Sequence, residues 1–233
     1  VGLDRRVVAA EARGEFGGDL ELTAGDYDLY GARGMLTGPL TGTLAGKRIV
    51  VQGLGNVGYH AAKFMQEDGG AVIVGVSEYE GAISKPAGLH VEDVMAHRRE
   101  TGSLLDFPGA ENLEHRDAGL ELDCDILVPA ALENAITLDN APRIQAKIIA
   151  EAANGPVSAE ASEYFHERGV MVVPDAFINA GGVTVSYFEW VQNIQSLTWD
   201  FDEVNRTLEK IIIRAFNEVW DKMHEKKSSM RMG

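Results

Sequence analysis

The chain has 233 residues, 45% of them hydrophobic, enough to bury the core of one large domain or of one domain with appendages. A formal net charge of −15 repels polyanions and disfavours nucleic acid as a partner, and no apolar run approaches the roughly 18 residues that a membrane span needs. The opening Val1-Gly2-Leu3-Asp4-Arg5-Arg6 lacks the layout of a secretory signal, and the single cysteine, Cys124, cannot close an internal disulfide, so a reducing cytoplasm is the expected setting.

Residues 1–45 form a glycine-punctuated lead-in with no sustained period beyond a short helical stretch at 4–13. From residue 46 the text becomes regular. Lys47 to Gln52 is a β-branched run that reads as a buried strand, followed by Gly53-Leu54-Gly55-Asn56-Val57-Gly58 and a helix from Tyr59 to Glu67 that Gly69-Gly70 stops. A second strand follows at 71–77, a charged helix at 90–100, a third strand at 125–129 and a fourth at 147–150. Cys124 precedes the third strand and reads as a small buried hydrophobe, since no histidine motif accompanies it. Ser158 caps a helix to about Arg168, Gly169 ends it, and a fifth strand covers 170–173. From about Gly182 the chain is helical, in two segments broken near Trp199-Asp200, with Asp200 or Asp202 capping the second.

Apolar strands alternating with helices predict an α/β fold: a Rossmann-like, doubly wound parallel sheet with flanking helices and a helical C-terminal segment. The boundaries are a lead-in at 1–45, a dinucleotide-binding domain at 46–198 and a helical segment at 199–233.

Gly53-x-Gly55-x-x-Gly58 follows a strand and opens a helix, the context a dinucleotide fingerprint requires. Gly53 allows the tight turn, Gly55 removes a side chain where a pyrophosphate must approach, and Gly58 lets helix and strand pack closely. Asn56 and Val57 complete the turn, whose free N–H groups face a negative ligand. Ser77 and Glu78 end the second strand, and Glu78 lies where a carboxylate accepts hydrogen bonds from the adenosine ribose and repels a 2′-phosphate. NAD is therefore favoured over NADP. The alternatives are a ligand-free glycine turn and a Glu78 that merely points to solvent.

From about Ala45 to Trp220 the chain resembles the cofactor domain of the glutamate/leucine/phenylalanine/valine dehydrogenases, whereas the lead-in at 1–45 does not match the family. The matching blocks are Gln52 to Gly58, Thr101-Gly102-Ser103, Asp125 to Asn134, Ala150 to Pro156, and Asn179-Ala180-Gly181-Gly182-Val183-Thr184-Val185-Ser186-Tyr187-Phe188-Glu189-Trp190. The last ending looks like the glutamate branch. The resemblance implies that Ala130 and Ala131 line the cofactor, that Asn154 and Asn179 lie near the nicotinamide and its ribose, and that Val183 and Ser186 wall the substrate pocket, Ser186 donating to the side-chain carboxylate. From the residues alone, Asn154-Gly155-Pro156 also reads as a turn, Asn179 as an N-cap, Ser186 as a small packing residue, and Tyr187, Phe188 and Trp190 as packing.

The family reaction is oxidative deamination, here of L-glutamate to 2-oxoglutarate and ammonia, by an enzyme expected to be a homo-hexamer. The family's catalytic lysine and aspartate belong to a separate, earlier domain; neither motif occurs here, so no catalytic residue is assigned and the chain alone is expected to be inactive. The six histidines are scattered, so no metal is expected. Three rival readings remain: a non-catalytic NAD-binding module, a dehydrogenase of leucine, valine or phenylalanine, and a regulatory domain with an empty glycine turn.

Overall fold

The computed structural model describes residues 44–232; the lead-in, including the helix expected at 4–13, lies almost wholly outside them. Among the described residues seven strands form one sheet in the order β4-β3-β2-β1-β5-β6-β7. They are β1 (Arg48–Gln52), β2 (Val72–Glu78), β3 (Gly81–Leu89), β4 (Glu111–Asn112), β5 (Ile126–Pro129), β6 (Ile148–Ala150) and β7 (Met171–Val173). The helices are α1 (Asn56–Glu67), α2 (Val91–Thr101), α3 (Ala159–Glu167), α4 (Asp175–Ile178), α5 (Ala180–Gln195) and α6 (Phe201–Lys226).

The apolar runs have a direct structural cause. Along a strand, successive side chains point to opposite faces. Ile49 and Val51 enter one core, with Phe64 and Met65 of α1, Val94 of α2 and Leu208, Ile212 and Phe216 of α6. Val50, between them, enters a second core on the other face, with Leu120, Ile136 and Phe165 of α3. Ile148 and Ile149 divide in the same way. A strand buried on both faces has no polar position to offer, which is why alternation is missing from its sequence.

β1, β2, β5, β6 and β7 are parallel, as the pattern predicts. The sheet is nevertheless mixed. β3 turns back antiparallel on β2, and β4 pairs antiparallel with β3. Only Tyr79 and Glu80 separate β2 from β3. Two residues suffice for a hairpin, whereas a parallel return needs a dozen or more. Pro86 and Ala87 are exposed on β3, beyond the short stretch paired with β4, so this strand carries no continuous apolar run to betray it.

Helix ends follow local chemistry. Ser158 accepts the Ala161 N–H at 3.2 Å. Asp200 caps α6 by accepting the Glu203 N–H at 2.7 Å, which decides between the two candidate caps. The helical region expected from Gly182 begins earlier, with α4 at Asp175 and α5 at Ala180, meeting at Asn179.

Candidate functional site

Strand order reverses at β1, with β2 on one side and β5 on the other. In an open parallel sheet the crevice outside the strand ends at such a point is where ligands bind. The C-terminal ends of β1 and β5 run together here, and the Ala130 N–H donates to the Gln52 carbonyl at 2.8 Å.

Packing demands the first and last glycines of the turn. Gly53 has φ +90°, and its N–H donates to the Ser77 carbonyl at 2.7 Å. A Cβ there would lie 2.9 Å from the Ala131 Cβ and 3.0 Å from the Ala130 carbonyl oxygen. A Cβ on Gly58 would overlap the Gly53 carbonyl and sit 3.2 Å from the Ala130 Cβ. Ala130 and Ala131 are thus the wall against which the turn closes. Gly55 differs: among the described residues a Cβ there would meet no atom within 4 Å. No packing requires that glycine, and its bareness leaves the helix terminus open to approach. The first bond of α1 runs from the Tyr59 N–H to the Gly55 carbonyl, so the N–H groups of Asn56, Val57 and Gly58 have no acceptor inside the helix.

Glu78 does not point to solvent. Its Oε1 accepts the Leu54 N–H at 2.5 Å and Arg98 Nη1 at 3.1 Å, and its Oε2 accepts the Tyr79 N–H at 3.2 Å. The carboxylate therefore lies over the glycine turn. Burial pulls the Arg98 guanidinium down, but Glu80 and Glu78 outweigh it and raise its affinity for the proton above the usual value. The Ser77 side chain faces inward, its hydroxyl donating to the Arg116 carbonyl at 2.7 Å. Ser77 reaches the turn through its own carbonyl.

Asn154 is exposed in the loop after β6. Its neighbour Gly155 has φ +56° and donates to Asp175 Oδ2 at 2.7 Å. Asn179 is half-buried and holds the N-cap position of α5 without a side-chain capping bond. Its N–H donates to the Asp175 carbonyl at 2.8 Å, so one residue ties both asparagine segments together. Glu151 lies wholly buried beneath them, accepting the Asp175 N–H at 3.0 Å and the Val157 N–H at 3.3 Å.

Val183 and Ser186 lie on the exposed side of α5, and the Ser186 hydroxyl donates to the Gly182 carbonyl at 3.1 Å. α5 packs against α4 and α6. Phe188 is buried as expected, whereas Tyr187 and Trp190 are exposed, their rings stacked with centroids 5.8 Å apart. Helical phase separates them: residues 185 and 188 face the core, which turns 187 and 190 outward. Sequence reasoning missed Glu80, Arg98 and Asp175. None has a motif of its own; each matters through a partner distant in sequence.

Residues 28–233 match the profile of the family described as Glutamate/Leucine/Phenylalanine/Valine dehydrogenase, a match that begins within the lead-in. A "Glutamate dehydrogenase" of Thermotoga maritima is 50% identical over 171 residues, covering 73% of this chain and 41% of that protein. The "Cryptic catabolic NAD-specific glutamate dehydrogenase GudB" of Bacillus subtilis is 44% identical over 189 residues, 81% of this chain and 44% of that one. Among solved structures, the hetero-hexameric glutamate dehydrogenase of Thermus thermophilus in its Leu-bound form superposes with a TM-score of 0.81 at 32% identity, over 90% of this chain and 49% of its own. The chain spans less than half the length of each of these relatives.

Proposed function

The chain belongs to the Glutamate/Leucine/Phenylalanine/Valine dehydrogenase family, and from that premise we propose that it forms the cofactor-binding part of an NAD-dependent glutamate dehydrogenase. The observation that carries the reading is the turn itself: Gly55 bare toward open space, three helix N–H groups without internal acceptors, and Glu78 lying over Leu54. A dinucleotide's pyrophosphate fits those N–H groups, and its adenosine ribose fits the carboxylate. An NAD-specific enzyme among the relatives supports the cofactor choice.

When bound, NAD supplies the hydride acceptor. The residues of this chain hold and orient it. Ala130 and Ala131 keep the wall thin, and Asn154 and Asn179 offer amides that both donate and accept, suited to a carboxamide and ribose hydroxyls. Val183 and Ser186 belong to the glutamate side of the pocket. To serve there, the Ser186 hydroxyl turns its proton from the Gly182 carbonyl to the substrate carboxylate, a rotation about one bond. No residue here is assigned to proton transfer, so the chain alone should bind NAD without turning over glutamate. The intact enzyme is read as a cytoplasmic hexamer; among the described residues no helix is long and apolar enough to cross a membrane.

Calorimetric titration with NAD tests the reading. Saturable binding is expected. Absence of binding at millimolar NAD would favour a domain whose glycine turn takes no ligand, and glutamate-dependent NADH formation by the pure chain would overturn the division of labour.

A further inference from the structure

The acid that would grip the adenosine ribose is not alone. Glu80 takes the guanidinium of Arg98 in a fork, Nε to Oε1 at 2.7 Å and Nη2 to Oε2 at 3.2 Å. That leaves Nη1 for Glu78, at 3.1 Å from its Oε1. Glu80 is itself steadied by the Leu104 N–H at 3.3 Å. Tyr79, between the two acids, sets its ring 5.7 Å from the guanidinium carbon. All three charged side chains are largely shielded from water, with 19% of Arg98, 12% of Glu78 and 11% of Glu80 exposed.

Arginine's planar fork matches a phosphate, and this one stands a single hydrogen bond from the ribose acid. Two opposing carboxylates leave the cluster net negative. Glu80 holds two of the guanidinium's N–H edges and cancels its charge, while Glu78 holds a third. We propose that Glu80 determines cofactor specificity through Arg98: by engaging the guanidinium it denies a ribose 2′-phosphate the nearby cation and keeps the corner selective for an unphosphorylated ribose. This rests on the reading of the Glu78 corner as the ribose site. Glu80 is then a positioning residue for Arg98, whose Nη1 stands 3.1 Å from the ribose acid.

NAD and NADP differ only at the 2′ position, so their affinity ratio reads the effect directly. In calorimetric titrations of the chain, Glu80→Gln should raise the affinity for NADP relative to NAD at least about tenfold, the yield of one charge-assisted hydrogen bond. Adding Arg98→Gln to that variant should erase the gain. Arg98→Gln alone leaves two bare acids and should shift the ratio further toward NAD, a measurement that does not depend on the Glu80 variant folding. A merely structural role for Glu80 would weaken both nucleotides alike. Wild-type binding of NAD with a ratio that stays within about twofold in both single variants would overturn the inference and leave the ribose site standing. Binding of neither nucleotide by the wild-type chain would bring down both.

Discussion

Arg231 places Nη2 2.5 Å from both carboxylate oxygens of Glu151, 80 positions earlier in the chain. Glu151 is fully buried beneath the loop that carries Asn154. Burial pushes its carboxyl above the usual range, against the pull of the guanidinium and the backbone amides. Removing one partner of such a pair strands a charge away from water, at a cost of about 3–5 kcal/mol when both are buried. Arg231 is 32% exposed, so Arg231→Ala should fall at or below the lower end of that range, read as a lower urea midpoint. Protonated Glu151 needs no counter-charge. The deficit should therefore shrink as pH falls toward the usual carboxylate range, because Glu151 takes its proton above that range, and a deficit that grows toward acid would contradict the pairing.

Gly55 and Gly58 should separate binding from folding. Gly58→Ala drives a methyl group into the Gly53 carbonyl, and relieving that overlap should cost about 1–3 kcal/mol or more of stability. Gly55→Ala meets no atom of the described residues within 4 Å and should keep nearly the wild-type melting temperature. It should still weaken NAD by about tenfold or more, because the methyl group takes the space a pyrophosphate needs. Equal loss of stability in the two variants would remove the distinction.

Glu78→Ser should weaken NAD binding and relax the preference over NADP. The serine cannot span to the Leu54 N–H, nor does it repel a 2′-phosphate. Titration of both nucleotides checks this, and an unchanged ratio would exclude Glu78 from the ribose site.

Cys124 is buried, and burial, followed by Asp123 and Asp125, pushes its thiol up to about 12 from an ordinary value of 9.0. The unfolded chain therefore releases this proton before the native one does. The associated stability is whole below pH ~9 and is lost progressively as pH rises toward 12. Cys124→Ala should flatten the alkaline decline seen in denaturant titrations between those limits. In the native protein the thiol should react slowly with alkylating reagents, and denaturant should release it; rapid native labelling would show that the site opens.

Much of the fold was legible because it is local. A β-branched run, a glycine pair or a capping serine acts within a few residues, so five parallel strands and most helix ends could be read directly. The hairpin at Tyr79-Glu80 was not, since β3 is buried along only part of its length and carries neither alternation nor a continuous apolar run. In the site, glycine spacing announced the turn and the distance from Gly53 announced Glu78. The asparagines and Ser186 rested on family resemblance.

The residues in order determined which segments could be strands, where the glycine turn would fall, and which acid would stand beside it. Each of those follows from steric and hydrogen-bonding rules that operate over one turn of chain. Only the tertiary structure decided that Arg98 and Glu80 stand beside Glu78, that Ser77 turns inward and that Arg231 closes under Glu151. Those pairs span 20, 18, 39 and 80 positions, from Arg98 to Glu78, from Arg98 to Glu80, from Ser77 to the Arg116 carbonyl and from Arg231 to Glu151. Groups so far apart in the chain meet only because sheet order and helix packing bring them together, and no local pattern encodes that meeting.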